Sequence, residues 1–368
     1  MRLLYWRFLG LAERAGVGWR QPQSRAHPKP GRALVRGRST RARVRGAPLR
    51  RSRARRRDAR PCARRAARVG GRPTRVIAVV GPTASGKSAL AMRVAEALGG
   101  EIVSADSRQV YRGMDIGTAK PRPDERARVP HHLIDVADPA DRYDVFRYQR
   151  DARAVLDAIA ARGRTAVVVG GTGLYVRALL DGLDLASIPT DPVLRARIEA
   201  DAERDGADAL HRRLRQLDPD AAARVDPRNV RRVVRYVEAA LLTGGLTASW
   251  RRDGAVPSRR IGLAPPREIL IAAIEARVRR MVDAGVLDET RALLARGLDP
   301  SLPSLSGHGY VHWARHLGGA LTLEDAIALT VRDTRRYSRR QMTWFRRDGA
   351  TRWIDPTVED PLPATLSE

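Results

Sequence analysis

The residues with the most chemistry in their spacing are Gly81-Pro82-Thr83-Ala84-Ser85-Gly86-Lys87-Ser88. They fit the pattern G-x-x-x-x-G-K-[ST] between an apolar run and a helical stretch. Glycines let the backbone curl so that its N–H groups face an anion, and the helix N-terminus adds its dipole. Lys87 supplies a positive charge and Ser88 a hydroxyl for a metal ion. The pattern specifies a polyphosphate without saying which one. Thr83 and Ser85 are further ligand candidates, or simple turn residues. Two more polar groups follow short apolar runs. Asp106, with Ser107, Gln109 and Tyr111 after it, is placed to accept a proton, to hold a metal through water or to cap a turn. Gly170-Gly171-Thr172-Gly173 either offers further N–H groups, with Arg177, to the same phosphates or is a tight strand–helix turn that needs glycine structurally. Between them, the GMDIGTAK stretch at 113–120 holds Asp115, Thr118 and Lys120, an anion clamp or a solvated lysine. His131-His132 with Asp135 suggests metal binding only weakly, and hydrogen bonding better.

The elements that must position these groups alternate strand and helix. Val76–Val80, Glu101–Ser104 and Ala166–Val169 read as short buried strands. Helices are expected over Ser88–Leu98, Tyr148–Ala161 and from Gly173 to Leu180. Such alternation predicts a parallel sheet covered by helices on both faces, with ligands at the carboxyl ends of the strands. After Pro189 the texture becomes helical. Asp191–Asp218 reads as short polar helices, and Arg228–Thr243 carries a Val230, Val233, Val234, Val237, Leu241 stripe. Ile261–Leu263 is a returning strand, followed by helices over Arg267–Ala284 and Leu323–Phe345. The division expected is a first part of the α/β core at 75–188, a helical insertion at 189–256, the completion of the core with basic C-terminal helices at 257–350, and a tail at 351–368.

Charge is unevenly spread. Of the formal +28, the first 74 residues carry +21, because 22 Arg and one Lys face only Glu13 and Asp58. That segment is read as a low-complexity basic extension, disordered or produced by a misplaced start; a nucleic-acid-binding arm and a transit segment are the alternatives. Only three of the 69 basic residues are lysines, Lys29, Lys87 and Lys120, so arginine richness reflects composition more than function. The single cysteine, Cys62, excludes an internal disulfide and a cysteine cage for zinc. With no apolar run long enough for a bilayer, a cytoplasmic protein is expected.

From Val76 to about Arg347 the chain resembles the bacterial tRNA dimethylallyltransferase family. GPTASGKS, DSRQVYRGMDIGTAKP, GGTGLY and TRRYSRRQMTWFRR occur in the family's order. The resemblance implies a fold like that of P-loop nucleotide kinases, with a helical insertion that grips the anticodon stem-loop of tRNA. It implies transfer of a dimethylallyl group from dimethylallyl diphosphate to the exocyclic amine of the adenosine 3′-adjacent to the anticodon, in tRNAs that read codons beginning with U. Magnesium is the implied cofactor and a monomer is expected. Labels such as nucleotide-binding or ATP-binding follow from the loop pattern, but prenyl diphosphate is the implied occupant.

Residue by residue, the resemblance carries over Gly81, Thr83, Ala84, Ser85, Gly86, Lys87 and Ser88 as the diphosphate loop, with Ser88 toward the metal. Asp106 becomes the catalytic carboxylate, joined by Thr83 and Arg177. Asp106, Ser107, Arg108 and Gln109 meet the target base. Thr172 and Arg177 line the phosphate side. Asn229, Arg231, Arg232 and Arg235 fall in a tRNA-contacting helix, and Arg339 and Gln341 in a C-terminal basic motif. Two departures stand out: Ser306-Gly307-His308 before Gly309-Tyr310, and Val311-His312 after it, where relatives have other residue types. A P-loop kinase acting on a small molecule or nucleotide, and a non-catalytic RNA-binding protein, are the competing readings.

Overall fold

Five apolar residues in a row leave no face for water, and Val76–Val80 forms β1, buried along its whole length. The computed structural model describes residues 75–183, 190–244, 254–307 and 309–367. The expectations for residues 1–74 and for His308 lie outside the described residues. After β1 the chain turns through the glycine loop into α1 (Lys87–Leu98), which ends on Gly99 in the left-handed region. β2 (Glu101–Ser104), α2 (Pro123–Arg128) and the two-residue β3 (His131–His132) follow. Asp144 caps α3 (Val145–Ala161) by accepting from the Arg147 N–H at 3.0 Å. β4 (Ala166–Gly170) then leads into α4 (Gly173–Leu180).

The helical insertion holds α5 (Pro192–Asp205), α6 (Ala207–Leu217), α7 (Pro219–Arg224) and α8 (Val230–Thr243). It encloses its own core of Ile198, Leu210, Leu214, Val233 and Val237. Val230 and Leu241, expected on the buried stripe of α8, are instead exposed. They flank the stretch from Val233 to Ala240, which is buried except at the half-buried Arg235 and is where the helix is covered by its neighbours.

The chain returns as β5 (Arg259–Leu263). α9 (Arg267–Asp283), α10 (Val286–Ala295), α11 (Tyr310–Leu317) and α12 (Leu323–Phe345) follow, and the sheet closes with β6 (Thr351–Ile354) and α13 (Pro361–Leu366). The expected tail at 351–368 is therefore corrected. β6 lies parallel to β5 at the sheet edge and α13 packs against α1. A four-residue strand interrupted by Arg352 gives little apolar signal, because an edge strand is covered on fewer sides. The reading also left α10 and α11 unassigned.

The sheet order is β3-β2-β4-β1-β5-β6, and every recorded pairing is parallel. Tyr148, Leu156, Ile159, Tyr175 and Leu179 of α3 and α4 cover one face. Leu90 and Val94 of α1, with Leu362 of α13, cover the other. Arg260 on β5 bridges Asp181, at the end of α4, and Asp348 at 2.7 and 2.9 Å. That pair of bonds fixes the point where the chain re-enters the core after the insertion. Among the described residues no helix is long and apolar enough to cross a membrane.

Candidate active site

β1 delivers the glycine loop to the carboxyl end of the sheet. Gly81, at φ 144°, lies where a Cβ would stand 2.8 Å from the Leu263 carbonyl, so the loop can approach β5 only without a side chain there. Ala84 adopts φ 65°, a left-handed conformation that costs a non-glycine residue of order 1 kcal/mol. Gly86 is the N-cap of α1, and Lys87 and Ser88 are its first residues. Lys87 Nζ donates to the Pro82 carbonyl at 3.2 Å, folded back over its own loop. Burial pushes the Lys87 ammonium down to about 8; the like charge of Arg277 adds to this and Asp106 opposes it. A cation held this way gains from the arrival of an anion.

Arg277, like Tyr337, is a group of the candidate site that sequence reasoning missed. It lies in the middle of α9, where it reads as one more arginine on an exposed face. In the structure Arg277 Nη1 donates to Thr83 Oγ1 at 3.0 Å and Nη2 to the Thr118 carbonyl at 3.5 Å. Burial lowers its pKa from the ordinary arginine range, and Asp106 partly offsets this. No local signal marks it, since the contact joins residues 194 positions apart. Arg177, expected on the phosphate side, is placed elsewhere. It pairs with Asp181 at 3.2 Å and lies over the Trp344 ring, and it is absent from the lining of the crevice.

Asp106 follows β2, and its Oδ1 accepts from the Arg108 N–H at 2.8 Å, so part of this carboxylate does cap a turn. It shares one crevice with Thr83, Lys87, Ser88, Gln109, Arg277 and Tyr337. Thr172 Oγ1 accepts from the Ser107 N–H at 3.0 Å, which joins the ends of β2 and β4. The Gln109 amide receives Ser104 Oγ at 3.0 Å and donates to the Ala119 carbonyl at 3.1 Å. Arg108 reaches across to the carbonyls of Pro303 and Ser304 and to Ser306 Oγ. Burial, together with the Asp106 charge, pushes the Tyr337 phenol up to about 12, so it remains a neutral hydroxyl. Beyond Lys87 and Ser88 the crevice opens into a cavity of about 1060 Å³, with Met92, Ile102, Ile116, Val169 and Met281 among its walls. The cationic groups of the crevice thus adjoin a partly apolar chamber.

Lys120 is not a solvated lysine. It is 8% exposed, and its ammonium donates to the Tyr111 carbonyl and Asp115 at 2.6 Å and also to Asp135. His132 meets Glu101, whose carboxyl the Arg162 guanidinium holds down at about 2. Among the described residues no three His, Cys, Asp or Glu side chains gather as a metal cage. Gln341, expected on an RNA-facing motif, is buried between the Thr83 N–H and the Gly171 carbonyl. Arg339 is exposed on α12.

On the insertion, Asn229 is the N-cap of α8, and Arg231 and Arg232 are exposed. Arg235 instead turns to the buried Glu238 at 2.9 Å, alongside Arg195. Of the two departures, His312 contacts Asp333 at 2.9 Å between α11 and α12, so its ring joins two helices.

A family model described as IPP transferase matches residues 109–348, and one described as Isopentenyl transferase matches residues 74–134. A tRNA dimethylallyltransferase of Thermomicrobium roseum is 48% identical over 284 residues, which cover 77% of this chain and 86% of that protein. One from Anaeromyxobacter dehalogenans is 49% identical over 291 residues, covering 77% and 96%. The crystal structure of the full-length tRNA isopentenylpyrophosphate transferase of Bacillus halodurans superposes with a TM-score of 0.59 at 41% identity, covering 79% of this chain and 93% of that one. The sheet order, the glycine loop and the crevice at the strand ends thus stand in a chain that belongs to the tRNA dimethylallyltransferase (IPP transferase) family.

Proposed function

We infer that the crevice at the ends of β1, β2 and β4 is where a dimethylallyl group leaves its diphosphate for an adenosine amine. The activity is that of the family, dimethylallyl transfer to a tRNA adenosine next to the anticodon. The assignment of residues is our own. The observation that carries it is the joining, in one crevice, of Lys87, Ser88 and Arg277 with a single carboxylate, Asp106, beside a partly apolar chamber.

Diphosphate leaves readily once its charge is met. The backbone of 81–88, Lys87 and Arg277 supply that charge where it develops. Ser88 would hold magnesium. Its exposed hydroxyl opens the helix, and an ion carried by phosphate oxygens and water needs only one or two protein ligands. When bound, the ion neutralises charge on the diphosphate oxygens. The allylic carbon tolerates the positive charge left on it. Asp106 accepts a hydrogen bond from the adenine amine, aligns it and takes its proton as the new carbon–nitrogen bond forms. The base must first be turned out of the anticodon loop, at a cost of a few kcal/mol. Exposed Arg231 and Arg232 on the insertion, with Arg339 on α12, offset that cost through backbone phosphates. One chain acts on one stem-loop.

The kinase reading is separated from this one directly. Labelled dimethylallyl diphosphate should label an unmodified anticodon stem-loop at the amine, and labelled ATP should transfer no phosphate. Phosphate transfer without prenyl transfer would reverse the assignment.

A further inference from the structure

Gln341 sits in a stretch of arginines, TRRYSRRQMTWFRR, and by composition belongs with them. Its surroundings do not. The residue is 5% exposed, whereas its neighbours Arg339 and Arg340 are exposed. Its Oε1 accepts from the Thr83 N–H at 2.9 Å, and its Nε2 donates to the Gly171 carbonyl at 2.9 Å. One amide therefore links the glycine loop after β1 to the glycine turn after β4. The fit needs a glycine: a Cβ on residue 171 would stand 2.1 Å from Nε2. One turn earlier on α12, Tyr337 lines the same crevice as Gln341. One residue beyond Thr172, Gly173 admits the Trp344 ring, which would meet a Cβ there at 2.0 Å.

We propose that Gln341 is a positioning residue for the diphosphate, setting the phosphate loop against the β4–α4 turn, and is not an RNA contact. The proposal rests on the reading of residues 81–88 as the diphosphate site. A buried N–H and a buried carbonyl that lose their partner are left unsatisfied, and the loop shifts to recover them. A loop whose N–H groups must converge on one anion is sensitive to such a shift. Because α12 also carries exposed arginines, the same helix holds the phosphate loop and presents charge to RNA.

The test uses Gln341→Met, similar in length but without either hydrogen bond, and Gln341→Glu, which keeps the acceptor for Thr83 and loses the donor to Gly171. Calorimetry with inorganic diphosphate and magnesium, and with an anticodon stem-loop, is run on the full chain. Q341M should raise the diphosphate Kd about tenfold and the KM for dimethylallyl diphosphate in parallel, with the stem-loop Kd within twofold of the parent. Q341E should fall between. Loss of stem-loop affinity with unchanged diphosphate binding would overturn the proposal, as would no change in either. Equal losses in both with a lowered Tm would reduce Gln341 to general packing, and also overturn it. Failure of the parent protein to bind diphosphate would instead refute the reading of the loop itself.

Discussion

The site turns on which arginine faces the loop. Arg277 donates to Thr83, whereas Arg177 is occupied by Asp181 and Trp344. Arg277→Ala should therefore weaken diphosphate binding at least tenfold, and Arg177→Ala by less than threefold, as competition against dimethylallyl diphosphate would measure. Equal effects would return Arg177 to the site. Lys87 makes a pH prediction. Its pKa is lowered to about 8, so the ammonium is lost as pH rises through that value while the diphosphate stays anionic. Affinity should then fall above pH 8, by up to tenfold per unit, and the binding reaction should take up protons there. Lys87→Met should bind weakly with a flatter profile between pH 7 and 9. The loop and Asp106 were legible because a glycine pattern after a buried strand has few other uses. Arg277 was not, because its partner lies in another part of the chain and one arginine among 66 carries no local mark.

At the level of elements, the strands β1, β2 and β4 and the helix α12 were readable from apolar runs and helical spacing. β6 and α13 were not: four residues at a sheet edge and six at the chain's end leave too little pattern. The insertion was legible as a change of texture, though the stripe on α8 was drawn too long. Its separate core allows a separate test. Leu214 is fully buried among Ile198, Val233 and Val237. Leu214→Ala should destabilise the insertion by about 2–5 kcal/mol. Stem-loop affinity should drop while diphosphate affinity holds, and proteolysis should cut first within residues 190–244. Equal losses in both ligands would show that the insertion and the α/β core fold as one cooperative unit.

For the molecule as a whole, the fold places the glycine loop at the strand ends and exposed arginines on two separate helical parts, α8 and α12. The formal charge of +28 overstates this, since most of it falls in the first 74 residues. The RNA face should show itself through salt. Replacing Arg231 and Arg232 together with Ala should raise the stem-loop Kd and reduce its salt slope by about one unit per lost phosphate contact; an unchanged slope would make that face merely solvated. The proposed transfer, however, rests on one crevice with Asp106 as its carboxylate. It is tested most directly by single-turnover transfer from dimethylallyl diphosphate to a saturating anticodon stem-loop with magnesium, comparing the parent with Asp106→Ala. The transfer rate should be lower by roughly 10²–10⁴ with both ligands still bound at near-parent affinity. A rate within threefold of the parent would contradict it.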